Sequence, residues 1–169
     1  MYYNIYKSEI GNLYLVSNGN SLCGCYLENQ KNFPIEIFSY EKNDLLKIFQ
    51  EARDWLERYF KGEIVDNNEI LMEVEGTDFR KKVWNILKEI PYGNTVTYKT
   101  VADAIIKKHN LKSMSYQAVG SAVGNNPLLI FIPCHRVIRS DGDIKGYVAG
   151  NEIKKFLLSI ECEDNKLLI

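Results

Sequence analysis

Apolar and polar residues alternate along three early stretches of the chain, 1–6, 12–17 and 22–27. That is the period of a strand with one buried face. Gly11 and the Asn18–Gly19–Asn20 cluster separate the stretches, which predicts antiparallel strands joined by hairpins. The period then changes. Leu45, Leu46, Phe49, Ala52, Leu56, Tyr59 and Phe60 keep helical spacing. They predict a helix that Asn43 caps, that runs through Lys61 and that Gly62 stops. The polar, acidic stretch "GEIVDNNE" opens a boundary region that extends to Gly76.

After Gly76 the pattern is helical. Thr77 is placed as an N-cap, and Phe79, Val83, Trp84, Ile86, Leu87 and Ile90 form one stripe. Pro91, Tyr92 and Gly93 end that helix. Thr97 caps a second one, carrying Val101, Ala102 and Ile105, and Ser115 caps a third, "YQAVGSAVG". Two helices joined by the short link "NLKSM" fit a helix-turn-helix. The small residues Ala118, Gly120, Ser121 and Ala122 either bring the third helix close to another surface or pack it against another helix. The pattern leaves both open. Gly124–Asn125–Asn126–Pro127 reads as a turn, and Leu128 to Ile132 as a buried strand that Cys134 ends. "SDGDIKG" is a further turn. Asn151 is placed to cap a last helix with Ile153, Phe156, Leu157 and Ile160 on one face, and Glu161 at the end of that stripe points inward. The pattern thus divides the chain into residues 1–76, rich in strands, and residues 77–169, mainly helical.

Composition adds three constraints. At 169 residues, 46% hydrophobic and 25% charged, the chain is globular, with material for a core. No apolar run approaches the roughly 20 residues of a membrane-spanning helix. The first 20 residues lack the basic start and apolar centre of a signal peptide, so a cytoplasmic protein is expected, nuclear if the cell has a nucleus. Charge is divided unevenly. Residues 1–76 hold 7 Lys+Arg against 13 Asp+Glu, net −6, and residues 77–169 hold 14 against 9, net +5. A basic second half suggests an anionic partner. Cys23 and Cys25 share one face of a strand and read as half-buried packing residues; with two histidines in the whole chain, the zinc case is weak.

Candidate chemistry gathers in "FIPCHRVIRSDG", residues 131–142. A thiolate is a strong nucleophile, and an imidazole nearby can take its proton. The imidazole needs a partner, usually a carboxylate, to fix its tautomer. Glu161 is the candidate. On a strand, Cys134 and His135 point to opposite sides, so they cooperate only if the chain turns at 133–137 or if a water links them. Thiol proteolysis, phosphate hydrolysis and alkyl transfer all use such a thiol. "HRVIRS" offers no Gly-rich phosphate loop, and Cys134 is not at the helix start a papain-like protease wants. A buried, inert cysteine stays open on chemistry alone.

"IPCHRVI", preceded by "AVGSAVGNNPL" and followed by "DGDIKGYVAGNEIKKFLLSIE", resembles the O6-alkylguanine-DNA alkyltransferases. The likeness runs from Thr77 to Glu161 and includes "GTDFRKKVWNILKEIPYGNTVTYKTVA"; the first half is similar more loosely, through its hairpins and "WLERYFKGE". The resemblance implies an α+β fold: a ribonuclease H-like first domain and a helical second domain with a helix-turn-helix that enters the DNA minor groove. The damaged guanine would be flipped into a pocket. Cys134 would accept the alkyl group irreversibly, with His135 as its base through a water and Glu161 holding His135. Asn126, eight residues before the cysteine, would brace the site loop. Tyr98 would rotate the phosphate and protonate the leaving guanine, and Lys154 would stabilise the Cys134 loop. The backbones of Cys134, Val137 and Val148 would read the guanine edge, and Tyr147 would wall the pocket.

Gln117, Ala118 and Ser121 would face DNA. Arg136 is implied to contact a phosphate or to form a structural salt bridge, with the choice open. Gln117 stands where relatives carry an arginine that fills the hole left by the flipped base, and Ala149 where they carry glycine beside the pocket. The protein would act once, as a monomer on double-stranded DNA carrying O6-alkylguanine, with O4-alkylthymine as a second candidate substrate, without a cofactor, a metal or a membrane. The alternatives are a non-catalytic sensor of alkylated DNA, a thiol hydrolase on a small molecule, and a helix-turn-helix regulator.

Overall fold

The computed structural model describes residues 1–162. Two compact units divide them: Met1–Glu75 with Pro127–Phe131, and Gly76–Asn126 with the chain from Ile132 onward.

In the first unit the alternating stretches are strands: β1 (Tyr2–Ser8), β2 (Gly11–Ser17) and β3 (Leu22–Leu27). β2 pairs antiparallel with both neighbours, and Tyr2 faces Ser17 while Ser8 faces Gly11. A two-residue strand the pattern did not show, β4 (Glu41–Lys42), runs parallel to β1, giving the order β3-β2-β1-β4. β2 is buried on both faces, against the expectation of one wet face. Leu13 and Leu15 are fully buried. Tyr14 and Val16, on the opposite face, pack with Ile37, Phe33 and Tyr26. The segment 33–40, to which the alternating pattern assigned no element, supplies that second cover through Phe33, Ile37 and Tyr40.

Helix α1 is Lys47–Phe60. It buries Ile48, Phe49, Ala52, Trp55, Leu56 and Tyr59. It starts later than expected. Leu46 holds the cap position with no side-chain bond, and Asn43 Oδ1 instead accepts the Leu45 amide 2.9 Å away in a local turn. Leu45 is correspondingly exposed. The Trp55 ring stacks on Tyr59 and tilts against Phe131 at 4.6 Å.

Pro127–Phe131 belongs to this unit by its contacts, although the sequence pattern placed it in the second part. Cys25 donates its amide to Pro127 O and accepts from the Leu129 amide. The run that follows is buried, but it is not a strand. Ile130 has φ 72°, and the Phe131 amide closes back onto Leu129 O at 2.9 Å, a γ-turn of the rare left-handed kind. For a β-branched residue that conformation is a strained one.

The second unit carries α2 (Asp78–Lys88), β5 (Val96–Thr97), α3 (Tyr98–His109), α4 (Tyr116–Gly124), β6 (Val137–Ile138) and α5 (Asn151–Glu161). Thr77, Thr97 and Ser115 cap the first three helices as predicted, each accepting an amide near the helix start. Asn110, left-handed at φ 51°, ends α3 and turns the chain toward α4. Trp84 is buried, and its indole donates to Ala122 O at 2.9 Å, which ties α2 to α4. β5 and β6 form a short parallel pair.

The last helix buries a different face from the one predicted: Lys154, Leu157, Leu158 and Glu161, while Ile153, Phe156 and Ile160 are half-buried. Two of the four buried side chains carry charge, which a search for apolar periodicity overlooks. Asn151 is the first helical residue rather than the cap; its Oδ1 accepts the Gly146 amide. No helix among the described residues is long and apolar enough to cross a membrane.

Candidate active site

Pro133 sets the entry to the site. Its φ −78° and ψ 62°, with the Cys134 amide bonded to Ile132 O at 2.7 Å, make an inverse γ-turn. Cys134–Arg136 then forms a single 3-10 turn. At three residues per turn, successive side chains leave about 120° apart. The chain therefore does turn where cooperation of Cys134 and His135 required it. Cys134 goes to one side, and His135 and Arg136 both reach Glu161 of α5.

That carboxylate is the most heavily bonded group of the site. His135 Nε2 lies 2.6 Å from Oε1. Arg136 Nε and Nη2 donate to Oε2 and Oε1 at 2.8 and 3.1 Å, a bidentate pair. The Gly93 amide adds a bond of 3.2 Å to Oε2, and Arg136 Nη1 donates to Ile90 O at 2.6 Å. All three side chains are almost fully buried. Burial pushes the Glu161 carboxyl up, but the bonds and charges of His135 and Arg136 outweigh it and hold it at about 2. Burial pushes His135 down more than Glu161 raises it, so the ring is neutral at neutral pH. With the ring neutral, Arg136 is the fixed cation beside Glu161 at neutral pH, while His135 adds its hydrogen bond. A neutral ring that donates Nε2–H to Glu161 presents Nδ1 as its basic nitrogen.

Of the two roles left open for Arg136, the structure shows the salt bridge: it is 2% exposed and its guanidinium is bonded to Glu161 and to Ile90 O. Gly93 and Ile90 take part through their backbones, which side-chain chemistry in a sequence does not reveal. Gly93 has φ 75°, and a Cβ there would meet Glu161 O at 2.9 Å. Only glycine fits.

Cys134 is 2% exposed. Asn126 Nδ2 donates both to its sulfur at 3.0 Å and to Ile132 O at 2.7 Å, bracing the turn from the far side. Burial raises the thiol pKa; the Asn126 amide, the Lys154 charge and the Tyr147 hydroxyl pull the other way without reversing it. Lys154, 1% exposed, donates to Val137 O at 2.5 Å and stands 5.9 Å from the Tyr147 ring centre. Burial brings it down to about 8, with the Cys134 and Asp143 charges opposing.

Beside the sulfur is a cavity of about 20 Å³ whose lining includes Tyr98, Gly120, Tyr147, Val148 and Lys154. Tyr98, first residue of α3, has its pKa raised by burial and then by Cys134, so its hydroxyl stays a donor. Gly120 and Gly124 lie one helical turn apart, and a Cβ on either would meet open space. The small-residue pattern of α4 therefore serves both readings: Ala122 packs on Trp84, while Gly120 and Gly124 open the cavity wall. Val137, although buried, and Ala149 fall outside that wall. Gln117 and Ser121 are exposed on α4, and Ala118 is half-buried.

Residues 1–71 match the family model described as 6-O-methylguanine DNA methyltransferase, ribonuclease-like domain, and residues 78–163 the DNA binding domain of the same family. The chain belongs to this family. It is 44% identical to a methylated-DNA–protein-cysteine methyltransferase of Methanosarcina barkeri, over 95% of this chain and 97% of that one. It is 35% identical to the inducible enzyme of Bacillus subtilis, over 95% and 90%. Among solved structures, Mycobacterium tuberculosis OGT in complex with DNA aligns with TM-score 0.83 and 34% identity, over 95% and 92% of the two chains.

Family membership accounts for the α+β architecture, with α3 and α4 in the half that matches the DNA binding domain. No group of three or more His, Cys, Asp and Glu among the described residues is arranged to hold a metal ion.

Proposed function

We propose that the chain repairs alkylated DNA by moving the alkyl group from O6 of guanine onto Cys134, once per molecule and as a monomer. The observation that carries this reading is the Cys134 sulfur at the cavity wall, 3.0 Å from Asn126 Nδ2 and beside Tyr98 and Lys154, in a member of this family. Nδ1 of His135 takes the thiol proton through a water, and Glu161 and Arg136 hold the ring for it. The sulfur attacks the alkyl carbon, the bond from that carbon to O6 breaks, and a thioether forms. The Tyr98 hydroxyl returns a proton to the departing guanine. The raised thiol pKa makes ionisation part of the reaction rather than a resting property, which keeps the sulfur inert until a substrate arrives. Asn126 and the Lys154 charge stabilise the sulfur anion while it lasts.

A cavity of about 20 Å³ holds roughly one water, not a purine. A flipped base therefore displaces the loop that carries Tyr147 and Val148. That loop is bracketed by Gly146 at φ 90° and Gly150 at φ 100°, conformations that suit hinges. Gln117, Ala118 and Ser121 on α4 face the duplex, and Gln117 fills the space the base leaves.

The test is the intact mass of the protein after incubation with duplex DNA carrying O6-methylguanine. One methyl group per molecule, mapped to Cys134, is expected, and no further turnover. Repeated turnover would point to a hydrolase. A methyl group on Cys23, Cys25 or Cys162 would overturn the assignment.

A further inference from the structure

We propose that the groove between Tyr98 and Tyr116 is a second nucleotide subsite, which stacks the base next to the lesion in the same strand; this rests on the repair reading above. The groove has a volume of about 570 Å³ and is lined by Tyr98, Lys99, Tyr116, Arg139, Ser140 and Asp141. That is within the range of sites that hold a ligand of nucleotide size. Tyr98 and Tyr116 are each the first residue of a helix, directly after the caps Thr97 and Ser115. Two aromatic rings thus stand at two helix starts with a groove between them.

Tyr116 is 52% exposed, a large ring left in water that supports no core. It is not part of the Cys134 cavity wall. Tyr98 lines both the cavity and the groove. One side chain therefore separates a base in the cavity from an occupant of the groove, which selects the adjacent nucleotide. Lys99 and Arg139 offer two cations and Asp141 one carboxylate, 3.6 Å from Arg139, so the lining has a net charge of +1. A phosphate is held only weakly there, and the aromatic faces carry the recognition. Stacking of this kind tolerates any base, because every base has a π-face.

The experiment measures methyl transfer by the full chain from four duplexes: intact, abasic on either side of O6-methylguanine, and abasic opposite it. The proteins are wild type, Tyr116→Ala and Tyr116→Phe, with free O6-methylguanine as the reference substrate for each. An abasic residue on one flank is expected to slow the wild type at least about fivefold. Tyr116→Ala is expected to be slow on intact duplex by a similar factor relative to its free-base rate, and indifferent to the abasic flank. Tyr116→Phe is expected to behave as wild type. The subsite is overturned if Tyr116→Ala responds to the flank as wild type does, if the response follows the opposite base instead, or if phenylalanine does not restore it. Failure of the wild type to accept a methyl group from any substrate overturns the repair reading and the subsite together.

Discussion

Glu161 concentrates the electrostatics of the site in one side chain. Its carboxyl sits at about 2, below its ordinary value, so the stability it contributes is complete above the ordinary carboxylate range and lost as pH falls toward 2. That contribution is of order 3 kcal/mol. Glu161→Gln leaves Arg136 buried without its counter-charge, a change that costs about 3–5 kcal/mol. Urea unfolding at neutral pH is expected to show that loss, and at pH 2–3 the difference from wild type is expected to shrink. The same variant is expected to transfer methyl more slowly at every pH at which it is folded. A wild-type rate would mean that Glu161 holds the fold and not the base. Ala149 lies outside the cavity wall, so Ala149→Gly is expected to leave the ratio of O6-benzylguanine to O6-methylguanine rates unchanged. A rise in that ratio would place its methyl group against the alkyl substituent.

At the scale of the element, α4 makes opposite demands on one position. Glycine inside a helix costs roughly 0.5–1 kcal/mol relative to alanine. Gly120 faces open space on the cavity side. Gly120→Ala is therefore expected to raise stability by about that amount in thermal unfolding. It is also expected to slow O6-benzylguanine more than O6-methylguanine, because the added methyl narrows the wall. A gain in stability with no change in substrate preference would mean that the loop carrying Tyr147 sets the cavity width alone. The helix starts also explain why this unit was easy to read. Thr77, Thr97 and Ser115 act through bonds two or three residues away, so their role is written locally. Asn43 failed as a cap because an asparagine side chain also bonds its own turn, and Leu45 had no core to enter.

For the whole molecule, the division of charge bears on contact with DNA. The chain is close to neutral, net −1, yet residues 77–169 carry +5. Gln117, exposed on α4, adds nothing to that balance. Gln117→Arg is expected to tighten duplex binding at low salt, with a slope of log affinity against log salt steeper by up to about one. An unchanged slope would show that position 117 does not approach a phosphate. Gln117→Ala is expected to slow transfer on duplex DNA more than on the free base, since only the duplex has a hole to fill.

The sequence alone determined whatever depends on near neighbours or on a motif: the three early strands, the side-chain caps at Thr77, Thr97 and Ser115, the inward turn of Glu161, and, through the family resemblance, Asn126, Tyr98 and Lys154 as neighbours of Cys134. Tertiary structure decided what depends on a partner distant in sequence. The run 128–132 is as apolar as a strand, but pairing along its length was never available; one bridge to Cys25 and two γ-turns took its place. Arg136 could have met a phosphate or a carboxylate, and the arrival of Glu161 from 25 residues away chose the carboxylate. The cavity wall at Gly120 and Gly124, the backbone bond from Gly93 and the upward shift of the Cys134 thiol follow from burial and backbone geometry, which exist only once the chain has folded.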